Sequence, residues 1–142
     1  MKKLFLSLLV LSIFFPTLYA QEKTHFPVTG TKSSVKKNII KYGIASFYAK
    51  KFNGRQTASG DIYNSTKYTA ACNVLPLHTW VRVTNLRNEK SVIVIINDRL
   101  HPKNKRLVDL SRYAAQDLGY IGRGLTRVKV EVLTDSQLST RS

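Results

Sequence analysis

Val92-Ile93-Val94-Ile95-Ile96-Asn97-Asp98-Arg99 is the stretch on which the fold turns. Five consecutive β-branched residues are too few for a typical helix. They predict a strand covered on both faces. The run then stops in three polar residues. A strand that has crossed a core and ends this way delivers side chains to the rim of a sheet or barrel on a rigid support. Asp98 is therefore a candidate general acid. Its alternative role is an ion pair with Arg99 or another of the many basic residues. A nearby Arg lowers a carboxyl pKa, whereas acid catalysis wants it raised from about 3.9. Burial against the aliphatic strand has to win for Asp98 to act as an acid.

Outward from this strand, residues 80–85 and 126–133 alternate apolar and polar, the period of strands with one wet face. Residues 43–49 and 107–110 complete the predicted strands. Residues 86–90 suit a hairpin loop between two of them. Residues 111–118 form the one good helix, with Ser111 as cap and Gly119 to end it. The chain thus predicts a mostly β domain over residues 41–134 with one or two short helices. Before the central strand lies a loop, Phe52-Asn53-Gly54-Arg55-Gln56-Thr57-Ala58-Ser59-Gly60-Asp61, whose two glycines and small polar residues expose it and lead to Asp61.

The whole chain has 142 residues, a net charge of +15 and a pI near 10.2. That length leaves room for one domain and tails. A hydrophobic fraction of 43% excludes a disordered basic tail. Residues 1–20 read as a signal peptide: a basic start, an apolar run too short to span a bilayer comfortably, then Ala20 before the cut. No Cys follows that run, so no lipid anchor is expected. Residues 21–40 read as a flexible basic leader and residues 135–142 as a loose tail. The single Cys, Cys72, has no internal disulfide partner. Three scattered histidines give no metal-ligand spacing, and no metal or cofactor is expected. No phosphate loop or G-x-S-x-G elbow is present. With 16 basic and 6 acidic residues, the segment 41–134 carries most of the excess charge. For an exported chain this points to anionic wall polymers more than to nucleic acid. A membrane-surface or nucleic-acid binder would rest on charge alone, without a long basic amphipathic helix.

Several motifs in order carry a resemblance. They are Gly43-Ile44-Ala45-Ser46-Phe47-Tyr48, Arg55-Gln56-Thr57-Ala58-Ser59-Gly60-Asp61, Thr69-Ala70-Ala71-Cys72, Leu75-Pro76-Leu77, Val81-Arg82-Val83-Thr84-Asn85, Ile96-Asn97-Asp98-Arg99 and Arg106-Leu107-Val108-Asp109-Leu110-Ser111. Over residues 42–133 the chain resembles the rare lipoprotein A family of lytic transglycosylases. The resemblance implies a six-stranded double-psi β-barrel and cleavage of the bond between N-acetylmuramic acid and N-acetylglucosamine in peptidoglycan. It also implies a catalytic Glu, His and Asp. Asp98 matches the Asp, Asp61 stands at the Glu position, and Cys72 stands at the His position. The expected substrate-binding residues are Tyr48, Arg55, Thr57, Asn97 and Arg99. Asp61, a shorter acid, would raise the proton affinity of Asp98 or stabilise positive charge on the sugar. Cys72 reads either as part of the site or as a small filler at the cleft floor. His101, three residues beyond Asp98, and His78, close to Trp80, are candidate sources of an imidazole, with an ordinary loop or surface histidine as the alternative for each. The chain is expected to be an exported monomer acting on glycan strands, periplasmic or extracellular. The alternative is a non-catalytic, expansin-like wall-binding module, favoured by the changes at Asp61 and Cys72.

Overall fold

A computed structural model of the protein describes residues 39–139. The expected signal peptide and most of the basic leader therefore lie outside the described residues. Six strands close into a barrel: β1 (Ile40–Phe47), β2 (Thr69–Ala71), β3 (Trp80–Asn85), β4 (Ser91–Asp98), β5 (Val108–Leu110) and β6 (Thr126–Val132). Their order around the barrel is β1-β5-β2-β4-β3-β6. The pairs β1/β5 and β2/β4 are parallel and the other four antiparallel. Closure leaves none of the six strands as a free edge.

The alternation read in β3 and β6 is realised. Val81 and Val83 point into the core from β3, and Val128 and Val130 from β6. They meet Val92, Val94 and Ile96 of β4 and Val108 and Leu110 of β5. The expectation of a β4 covered equally on both faces is corrected. Ile93 and Ile95 are only half-buried, because a barrel strand faces the packed interior on one side alone. The three-residue β2 is also absent from the sequence reading. Alanines are weak strand formers, and the neighbours β4 and β5 extend this segment rather than its own composition.

The residues 86–90 do form the β3–β4 hairpin loop. Helix α1 (Arg112–Asp117) starts where expected, with the Ser111 hydroxyl accepting from the Ala114 amide, and Gly119 follows it at φ 74°. Its Ala114, Ala115 and Leu118 close the core. The buried Asn85 fastens this corner. Its side-chain amide donates to the Leu118 carbonyl at 2.9 Å, and its oxygen accepts from the Thr126 hydroxyl at 2.8 Å. Gly43 in β1 is required by close approach, since a Cβ there would sit 2.6 Å from Leu107 Cβ. Residues 135–139, read as part of a loose tail, form a short helix, α2 (Asp135–Ser139). Strand β1 begins one residue inside the segment assigned to the leader. No helix among the described residues is long and apolar enough to cross a membrane.

Candidate active site

A groove of about 710 Å³ opens beside the end of β4. It exists because of a register shift. Ala70 of β2 pairs with Ile96, but Ala71 pairs with Asp98, so Asn97 is an extra residue on β4. Such a bulge bends a strand and re-aims the side chains beyond it. Ile96 and Asn97 are both buried, and the half-buried Asp98 emerges on the groove wall.

Three donors hold the Asp98 carboxylate. The Tyr48 hydroxyl donates to Oδ2 at 2.6 Å. The Ala58 and Arg99 amides donate to Oδ1 at 2.9 and 2.8 Å. Tyr48 comes from the end of β1, where its amide is held by the Leu110 carbonyl at 3.0 Å. Its ring stacks on Tyr63 at 4.4 Å and meets the edge of Phe52. Burial, then the bond to Asp98, pushes the Tyr48 phenol well above its ordinary value, so it remains a proton donor. The Arg99 guanidinium does not pair with Asp98. It donates to the carbonyls of Cys72 and Leu75, holding the chain that follows β2. The Arg99 ion pair weighed as the alternative role of Asp98 is therefore not formed.

The loop before Asp61 folds back on itself. The Gln56–Ile62 bridge and the bond from the Tyr63 amide to the Arg55 carbonyl close it, and Gly54 and Gly60 turn it at φ 85° and 93°. The Ser59 amide donates to the Asn97 carbonyl at 3.0 Å, which fastens the loop to the bulge. Asp61 is exposed. Its Oδ2 accepts from the Ser59 hydroxyl at 2.7 Å and from the Asn97 amide at 3.4 Å. These two bonds, with His78 nearby, hold its carboxyl below the usual carboxylate range, so it is ionised at neutral pH.

Of the expected substrate-binding residues, Tyr48, Arg55 and Arg99 line the groove. Arg55 lies over the Phe52 ring at 5.3 Å. Thr57 and Asn97 are buried and turned to the loop, where they support Asp61. Cys72 is fully buried within the core cluster, and its thiol is not on the groove wall. A thiol so placed should be inert. A disulfide reagent is expected to leave Cys72 unlabelled in the native protein and to titrate one thiol in guanidinium. Rapid labelling of the native protein would contradict this burial.

The sequence reading missed Asp109 and Arg106 as groove residues. Asp109 accepts from Ser46 at 2.6 Å and is clasped by Arg106 through Nε at 2.8 Å and Nη2 at 3.0 Å. Its position between Val108 and Leu110 was a visible signal, but only the parallel β1/β5 register puts it beside Ser46. His101 also lines the groove. Among the described residues no three of His, Cys, Asp and Glu come together to hold a metal ion.

A model of the lytic transglycolase family matches residues 40–130. The endolytic peptidoglycan transglycosylase RlpA of Pasteurella multocida is 59% identical over 91 residues, 64% of this chain and 31% of that protein. That of Haemophilus influenzae is 53% identical over 97 residues, 68% of this chain and 34% of that protein. That of Neisseria meningitidis serogroup A is 38% identical over 123 residues, covering 84% and 52%. The chain thus spans about a third to a half of the length of these relatives. Among solved structures, an expansin of Clavibacter michiganensis aligns with a TM-score of 0.55 at 20% identity, covering 68% of this chain and 52% of that one. A Streptomyces papain inhibitor aligns with a TM-score of 0.54 at 20% identity, covering 67% and 96%. At these identities the two structures speak to the barrel fold alone.

Proposed function

The chain belongs to the rare lipoprotein A family of lytic transglycosylases, a double-psi barrel family, and from that membership we propose that it cleaves the N-acetylmuramic acid–N-acetylglucosamine bond of peptidoglycan with Asp98 as acid and base. The observation that carries this reading is the Asp98 carboxylate on the groove wall, oriented by Tyr48 and two backbone amides. In the proposed reaction Asp98 gives its proton to the glycosidic oxygen as the C1–O bond breaks. The 6-hydroxyl of the same muramoyl sugar attacks C1, and its proton returns to Asp98. The product is an anhydro-muramoyl end, and no water is consumed. Asp61, ionised, does not line the groove, so in this reading its negative charge acts on the cation at C1 from behind Asn97 rather than by contact.

Tyr48 acts by orienting Asp98. Loss of a hydrogen bond to a charged group costs about 1.5–3 kcal/mol, on the order of ten- to a hundredfold in rate. Tyr48→Phe keeps both ring contacts. We expect kcat to fall at least about tenfold at temperatures where the variant is folded, with a circular dichroism spectrum that matches wild type. An unchanged kcat would remove Tyr48 from this role.

The protein in this reading is an exported monomer, released from residues 1–20, whose substrate is the glycan strand. Incubation with purified peptidoglycan and mass spectrometry of the soluble products tests it: anhydro-muramoyl fragments are expected. Absence of products together with pelleting on cell walls would favour the second reading, a wall-binding module. The burial of Cys72, which leaves no imidazole at that position, is the observation on that side.

A further inference from the structure

A second surface, sharing no lining residue with the groove, combines exposed apolar side chains with unpaired cations. Leu86 opens the β3–β4 hairpin loop, and Leu125 stands just before β6. The Leu86 amide donates to the Arg127 carbonyl at 3.0 Å, so the hairpin loop is fastened to the start of β6. Leu86 is 44% and Leu125 52% exposed. Ile44, opposite Arg127 in the β1/β6 register, is also exposed. Arg87, Arg123 and Arg127 line the same shallow concavity, of about 680 Å³, and no acidic residue does. Among the described residues the ion pairs are Arg106–Asp109 and Lys129–Glu131, which leaves these three guanidiniums without an acidic partner.

We propose that this patch docks the protein on an anionic bilayer surface, with Leu86, Leu125 and Ile44 in the interfacial zone and the three arginines on lipid phosphates. The charge complementarity is direct, since guanidinium binds phosphate through two parallel N–H bonds. The apolar component selects among polyanions. A soluble polyanion would satisfy the arginines and leave three large aliphatic side chains in water. A bilayer interface takes both, because apolar depth lies immediately beneath its phosphates. A closed barrel also has no free strand edge on which to template an acidic peptide. Leu86 precedes the first residue of β4 and Asp98 is its last, about 23 Å further on at ~3.3 Å per residue. Docking by the hairpin therefore leaves the Asp98 end of the groove open, whereas Ile44, three residues from Phe47 on β1, marks the side of the groove that comes nearest the bilayer. The proposal does not depend on the cleavage reading, and none of its residues belongs to the proposed catalytic group.

The test is co-sedimentation of the mature chain, residues 21–142, with vesicles of phosphatidylcholine alone or containing phosphatidylglycerol. Wild type is expected to pellet only with the anionic vesicles. Each arginine near such a surface contributes about fivefold, so Arg87→Gln with Arg123→Gln and Arg127→Gln should weaken partition on the order of a hundredfold. Leu86→Ser with Leu125→Ser keeps the charge and should weaken it about tenfold. Residues 21–38 are common to all variants, so any binding they contribute stays constant. Circular dichroism melts confirm that each variant folds. Equal pelleting with neutral vesicles, or anionic binding that survives either set of substitutions, would overturn the proposal. So would competition by soluble polyglutamate that is as strong with the serine variant as with wild type, since that would make the patch a general polyanion or acidic-peptide site.

Discussion

Asp98→Asn is expected to reduce release of anhydro-muramoyl products by about a hundred- to ten-thousandfold, the range that a positioned general acid–base contributes. The fold should not notice the change. Oδ1 of the new side chain can still accept from the Ala58 and Arg99 amides. Its amide nitrogen then faces the Tyr48 hydroxyl, which can turn to accept rather than donate. The proton that the leaving oxygen needs is the one thing removed. Pelleting on cell walls and the thermal midpoint should therefore match wild type while product formation collapses. A variant that keeps more than about a tenth of wild-type activity would take Asp98 out of the acid–base role. In that case Asp109 would come next, as the other carboxylate on the groove wall, although Arg106 and Ser46 already occupy it.

The place of Asp98 at the end of a core strand was legible because chemistry and local pattern coincide there: an aliphatic run ends, and a carboxylate follows. What orients it was not. Tyr48 lies 50 residues away, and only the strand order β1-β5-β2-β4 brings the end of β1 to the end of β4. The same gap hid the partner of Arg99, whose guanidinium reaches back to the carbonyls of Cys72 and Leu75 instead of its chain neighbour. Helix α1 was readable because its signals are local: a capping serine at one end and a glycine with positive φ beyond the other. Strand β2 was not, because what makes Thr69–Ala71 a strand is hydrogen bonding from both sides. Cys72 shows the same limit. Its type suggested either reactivity or filling, and its full burial comes only from the packed cluster around it.

The one-sidedness of β4 sets up the largest expected effect on stability. Ile96 is fully buried, whereas Ile95, its chain neighbour, is half-buried on the outer face between Trp80 and Thr69 in the strand register. Truncating a packed Ile to Ala costs about 2–5 kcal/mol, a large part of the ~5–15 kcal/mol typical of a domain. Ile96→Ala should thus lower the midpoint of thermal unfolding by on the order of 10–30 °C. Ile95→Ala removes the same atoms from a site already half in water and should cost about 1 kcal/mol. Equal losses from the two variants would mean that both faces of β4 are packed alike, as the bare apolar run suggests, and would contradict a barrel with its core on one side. The contrast should extend to function at temperatures where both variants are folded. Ile96 lies directly beneath the bulge that re-aims Asp98, so a cavity there loosens the carboxylate's support, and product formation should drop with Ile96→Ala and hold with Ile95→Ala.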